Sequence, residues 1–261
     1  MADFSAVYNS VPPVTRTLLL ATVIITGPCL LQIIRPVDVA FIWWRITRRW
    51  EVWRLVTSFF YGGGGFPFLY DLFLIYRNSS ALERNVYMSN TAEYAWMHVM
   101  LATFILIFNI PLEFPFFFRS LLHAQTYLWC RANPTTKVSI FGLLTIPTSL
   151  YPPALIVLDL LTGGPMKAIS GLLGLFAGHL WWFLSSYLPV HAPVRLRRPN
   201  PLSTPNRFRS LFSSSSRPRT SGGYTVTPPT RGTTTARPVQ DAAEAVRHRW
   251  GGGSRLGGEP L

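Results

Sequence analysis

Apolar residues in this chain gather into blocks of bilayer-spanning length, set apart by polar connectors and by glycine- or proline-marked breaks. Six blocks are predicted to span a membrane: 15–34, 53–76, 94–110, 114–130, 138–161 and 166–188. Each lies near the ~20 residues that a hydrocarbon core requires of a helix. Arg35-Pro36 ends the first block, and Gly62 to Gly65 with Pro67 interrupt the second near its start. Such glycines permit irregular backbone, tolerated at membrane depth only beside protein or water. Pro111–Glu113 predicts a tight turn, Arg77–Glu93 and Arg131–Lys137 predict polar connectors, and Gly163-Gly164-Pro165 predicts the last turn. Residues 35–52 are aromatic and basic (Trp43, Trp44, Arg45, Arg48, Arg49, Trp50), the pattern of a loop or short amphipathic piece lying in the membrane interface.

Composition agrees with that reading. Hydrophobic residues make up 49% of the chain and charged residues 13%, where a soluble domain carries about a quarter charged. The fold class expected is an all-α polytopic membrane protein of six transmembrane helices. The net charge of +13 lies largely beyond Pro189, which beside a membrane marks the cytosolic side and anionic lipid rather than nucleic acid. An even number of spans places both termini there, with residues 1–14 a short cytosolic N-terminus and the first span acting as targeting signal. This topology puts the basic 35–54 loop on the opposite face, against the charge rule, and leaves the Asn78-Ser79-Ser80 sequon unmodified on the cytosolic side. Residues 189–240, rich in Pro, Ser, Thr and Arg, are expected to form a disordered tether. Residues 241–261 predict a short helix over 241–249 and then WGGGSRLG, a docking motif anchored by Trp250 and Leu256.

The chemistry-bearing residues inside the blocks are Asp71, His98, Glu113, His123, Asp159 and His179. Asp71, Glu113 and Asp159 fall toward span ends and read as structural, and His179 as a hydrogen-bonding packing residue. Cys29 and Cys130 lack metal-like spacing and read as inert thiols, so neither a metal nor a cofactor is expected. No HExxH or GxSxG motif is present. Trp53-Arg54, at the mouth of the second block, is an interface device that places indole and guanidinium at headgroup level. Gly174 and Gly178 stand one helical turn apart, a spacing that lets two helices approach closely. Two other functional classes stay open on these residues: a hydrolase using Ser170 or Ser185, and a transporter whose pathway is lined by Asp71, Asp159 and His179.

Three separated features together resemble the derlins of the rhomboid-like pseudoprotease superfamily: Trp53-Arg54 with LVTSFFY, Gly174-x-x-x-Gly178 with HLWWF, and the terminal WGGGSRLG. FLYDLFLIYRNSSALE (68–83), YLWCRANP (127–134) and FGLLTIP (141–147) add to the likeness, which covers residues 10–190 and the terminal motif. The resemblance implies the six-helix rhomboid-like fold without its catalysis. The fourth block reads RSLLHAQTYLW, without the serine motif of an active rhomboid, and Gly171 holds the place of the catalytic histidine. Tyr70 and Leu74 fall nearest the positions of the supporting histidine and asparagine. What the resemblance implies instead is a part in endoplasmic-reticulum-associated degradation, at the reticulum membrane, with misfolded clients, a membrane ubiquitin-ligase complex and lipids as partners, in a monomer or an oligomer. The terminal residues Trp250, Gly251, Gly253, Arg255, Leu256 and Gly257 resemble the SHP box that binds the AAA ATPase valosin-containing protein.

Overall fold

The structure, a computed structural model, describes residues 9–140, 144–193 and 200–212. Helix α1 (Pro13–Leu30) leads into two short helices, α2 (Pro36–Val39) and α3 (Trp43–Arg49), and a single turn α4 (Arg54–Thr57). Helix α5 (Phe66–Ala81) continues into a π-helical turn (Leu82–Val86), followed by α6 (Thr91–Asn109) and α7 (Phe118–Ala132). A two-stranded antiparallel hairpin, β1 (Lys137–Ile140) and β2 (Leu144–Pro147), precedes the long α8 (Tyr151–Trp182). A second π segment (Phe183–His191) extends α8, and α9 (Asn206–Phe212) closes the described chain.

Helix α8 is two limbs. Gly164 has φ 75° and ψ −174°, a left-handed-side conformation that a side chain would strain, and Pro165 starts the second limb. A Cβ on Gly171 would lie 2.8 Å from the Ile156 side chain, whereas 15 residues of straight helix would separate them by about 22 Å. The limbs therefore fold back on each other.

Among the described residues, three helical segments are long and apolar enough to cross a membrane: Pro13–Leu30, Thr91–Asn109 and Tyr151–Val190. The core between the helices is built by Leu74, Met97, Leu101, Ile105, Leu122 and Leu155, all with no exposed surface.

Several boundaries differ from the sequence expectation. The second block is broken into the single turn α4 and a helix that starts only at Phe66, because Gly63 and Gly65 at φ 77° hold an irregular loop ahead of it. Thr26 of α1 pins that loop, donating to the Phe60 carbonyl (2.8 Å) and accepting from Gly62 N–H (3.1 Å). The first part of the fifth block is the β-hairpin, where Val138 pairs with Ile146. The expected connector 77–93 contains some of the most buried polar groups in the protein, among them Asn78, Ser79 and Glu83. Glu83 caps α1 from a distance, accepting from Val14 N–H (3.0 Å), Thr15 N–H (2.9 Å) and Thr15 Oγ1 (2.8 Å). Proline at positions 12 and 13 leaves this helix start without a local side-chain cap, and a carboxylate both satisfies the free N–H groups and complements the dipole. Ser79 links Thr15 (2.9 Å) to the Tyr94 hydroxyl (2.8 Å), tying α1, α5 and α6. Within the stretch expected to be disordered, α9 is ordered on α6: Phe208 packs on Trp96 at 5.1 Å and Arg209 pairs with Glu93 at 3.1 Å. Two phenylalanines on one short helix supply the apolar face that composition alone averaged away.

Candidate functional site

The charged residues of the helical blocks converge. Asp71 of α5 and Asp159 in the first limb of α8 are 4% and 0% exposed, and Arg119 in the first turn of α7 bridges them. Its Nη1 reaches Asp71, while Nη2 and Nε take both oxygens of Asp159, the fork geometry that suits a guanidinium to a carboxylate. Lys167 of the second limb lies 3.8 Å from Asp159. Two carboxylates thus face two cations, and the cluster is neutral with an uncharged His123. That histidine is buried and gives its Nδ1–H to the Arg119 carbonyl at 3.0 Å. Its Nε2 stands 3.2 Å from Asp159 and makes no hydrogen bond, since with the hydrogen on Nδ1 it is itself an acceptor. A cavity of about 410 Å³ opens on the cluster beneath Gly62 and Gly64.

Alongside the cluster, α7 and the second limb of α8 pack in the same direction. A Cβ on Gly174 would collide with the Ser120 carbonyl, and one on Gly178 would lie 3.0 Å from the Ala124 carbonyl. Small residues four apart on both helices thus form the seam. Ser120 Oγ donates to the Ser170 carbonyl at 2.7 Å, with the Ser170 hydroxyl at 3.1 Å. Gly171 faces both His123 and Asp159, and a Cβ there would lie 3.1 and 3.2 Å from them.

Trp53 and Arg54 part company. The Trp53 side chain is 54% exposed, whereas Arg54 is 2% exposed and points inward rather than to the surface with its neighbour. Its Nη1 donates to the carbonyls of Val37 (2.6 Å) and Ala40 (2.8 Å), and its Nε pairs with Glu51. Thr57, one turn on, donates to the Val39 carbonyl at 3.0 Å. One face of α4 therefore holds the backbone of 37–40 and sets the path of the aromatic loop. The reason is elementary: a loop carbonyl buried without a donor is costly, and a guanidinium satisfies two at once.

The remaining candidates separate. His98 donates through Nδ1 to the Tyr94 carbonyl (2.9 Å) and accepts at Nε2 from Gln125 (2.7 Å), a satisfied packing histidine. Glu113 is exposed in the α6–α7 turn at φ 53°, its N–H bonded to Asn109. His179 lies apart from the cluster, on Tyr127 at 2.6 Å. Tyr70 and Leu74 lie on α5 with Asp71, and Ser185 sits 3.4 Å from Ser186. Trp250, Gly251, Gly253, Arg255, Leu256 and Gly257 lie outside the described residues. Arg119 escaped the sequence reading, although an arginine isolated in an apolar block with two isolated aspartates in others is a signal that opposite charges will meet.

A family model described as the Der1-like family matches residues 11–206, three quarters of the chain. The chain belongs to the derlin family. It is 34% identical over 189 residues to Derlin-1 of Arabidopsis thaliana, covering 70% of this chain and 69% of that one. It is 31% identical to Derlin-1 of Oryza sativa subsp. japonica (73% and 79% covered) and 30% identical to Derlin-2.1 of Arabidopsis thaliana (79% and 86% covered). The match takes in the Arg54 clamp, the cluster and the α7–α8 seam, so these features lie within the derlin domain. It is a helical membrane domain.

Proposed function

We propose that this derlin is a non-catalytic component of endoplasmic-reticulum-associated degradation, resident in the reticulum membrane with both termini cytosolic. It engages misfolded proteins, assists their passage through a locally distorted membrane, and recruits valosin-containing protein through its C-terminal tail. Family membership over residues 11–206 carries the reading. In it, α1, α5, α6, α7 and the two limbs of α8 are the six membrane segments.

The dimensions support a distorted membrane. Helix α7 has 15 residues, about 22 Å at 1.5 Å per residue. The hydrocarbon core is ~30 Å thick, so lipid beside it thins to match. Thinning lowers the cost of moving a client's polar groups across. The seam chemistry supports a role without catalysis: the Ser120 hydroxyl donates to the Ser170 carbonyl and lies 3.1 Å from the Ser170 hydroxyl, and neither hydroxyl bonds a histidine among the described residues. A serine nucleophile needs a base within hydrogen-bond reach. Fluorophosphonate labelling of the full chain is expected to leave Ser120, Ser170 and Ser185 unmodified.

The direct test is binding of a peptide covering 241–261 to the amino-terminal domain of valosin-containing protein, with Trp250→Ala and Leu256→Ala as controls. Saturable binding lost in both controls supports recruitment. Its absence would leave a client-engaging subunit that takes its motor from a ubiquitin-ligase partner.

A further inference from the structure

His179 has no part in the cluster and is exposed on a helix face that is otherwise apolar. It lines a groove of about 640 Å³ between α6 and the second limb of α8, with Phe108, Leu112, Ile169, Leu172 and Phe176 among its walls. Phe176 is 62% exposed and Leu112 43%. From Ile169 to Phe183 the groove follows 14 residues of helix, about 21 Å. That is most of the way across a leaflet pair, along a lipid-facing surface.

The groove ends in donors. Arg131 Nε donates to the Tyr127 hydroxyl at 2.9 Å, and that hydroxyl lies 2.6 Å from His179 Nδ1. A phenol that accepts from a guanidinium gives its own proton onward, so His179 Nδ1 accepts and Nε2 carries the hydrogen. This N–H has no protein acceptor among the described residues. Neither have the Nη groups of Arg131, whose guanidinium sits over the Trp182 ring at 4.1 Å and near Tyr127 at 5.5 Å. An imidazole N–H and a fixed cation therefore stand together beside Trp182, the residue type that marks the headgroup level. A passing helix has its backbone acceptors already satisfied and would leave both donors unmatched. A phospholipid matches both halves of the site, chain to groove and phosphoester oxygens to donors.

We propose that this groove binds an anionic phospholipid, its acyl chain laid against Phe108, Leu172 and Phe176 and its phosphoglycerol oxygens held by His179 Nε2–H and Arg131. The test uses the purified full chain and native mass spectrometry, with phosphatidylglycerol and phosphatidylcholine of identical chains as probes. The wild-type chain is expected to retain phosphatidylglycerol preferentially. Arg131→Gln should lower that preference about tenfold, the order of one charge-assisted hydrogen bond, and Arg131→Lys should restore part of it. His179→Phe keeps the apolar volume and should weaken retention of both lipids. Leu172→Trp, which fills the groove far from either donor, should do the same while the thermal unfolding midpoint holds. Equal retention of the two lipids by wild-type chain, unaffected by these changes, would overturn the proposal. So would competition by inorganic phosphate, or a dimer that Leu172→Trp dissociates, since the occupant would then be a free anion or a second copy.

Discussion

Arg54 and Arg119 are both withdrawn from solvent, yet they organise the protein in different ways. Arg54 satisfies local partners, the carbonyls of Val37 and Ala40 and the carboxylate of Glu51, all within 17 residues of itself. Arg119 joins Asp71, 48 residues before it, to Asp159, 40 residues after it. The first shapes a loop whose carbonyls are neutral, so losing it unsatisfies dipoles. The second neutralises two buried charges on different helices, so losing it strands them. A buried arginine is thus a loop device or a helix tie according to whether its acceptors are near in the chain or far.

The largest effect should follow from removing the tie. Arg119→Leu leaves Asp71 and Asp159 without their main cation and should cost about 3–5 kcal/mol of stability, or neutralise one aspartate. Thermal unfolding of the purified chain in detergent reads this. Combining it with Asp71→Leu and Asp159→Leu should recover most of the loss, because apolar replacement of a whole buried ion network is often neutral. A triple variant as unstable as the single one would show that the cluster contributes something other than charge balance.

Arg54→Lys comes next. Lysine keeps the charge but presents no fork, so the clamp should lose one of its two carbonyl bonds and part of the Glu51 pair, about 1.5–3 kcal/mol. The loss should be confined to the loop. Hydrogen exchange should quicken in 36–49 and leave α6 and α7 unchanged; uniform acceleration would mean that Arg54 is a global tie like Arg119. Trp53→Ala, at a half-exposed side chain, should change exchange in this loop far less.

The contrast also explains what could be read from sequence. Helices α1 and α6 were legible because their apolar runs are nearly uninterrupted, as was the glycine seam, because a spacing of four needs no knowledge of the partner helix. The connector 77–93 was misread for a physical reason: Asn78, Ser79 and Glu83 look solvated until their partners Thr126, Thr15 and Tyr94 are brought beside them. The β-hairpin was hidden because Val138 and Ile146 are as apolar as a span. Arg119 follows three phenylalanines and carries no local pattern, and its meaning comes wholly from residues in other helices. His179 was seen, but its Nε2–H depends on Arg131 and Tyr127, and no spacing rule connects α7 to α8.

The smallest effect belongs to a third kind of arginine. Arg35 is 81% exposed and bonds Asp38 through Nε at 3.0 Å and Nη2 at 3.2 Å. The bond from Arg35 holds the Asp38 carboxyl below its ordinary range, with Arg54 and Arg45 adding to it. A depressed carboxyl stabilises the folded chain fully above the unfolded value of about 3.9, and that contribution falls away as pH drops through the lower folded value. Nothing should therefore change between pH 7 and pH 5. Asp38→Asn should lower the unfolding midpoint slightly at pH 7 in dilute buffer, with the gap from wild type closing as pH falls below the unfolded value. Because the pair faces solvent, roughly 1 M salt should close it as well. The same salt should leave the cost of Arg119→Leu standing, since screening ions do not enter a cluster whose carboxylates are covered. If salt erased both differences, Arg119 would be a solvated pair like Arg35, and the tie between helices would have to be sought in the seam at Gly174 and Gly178 instead.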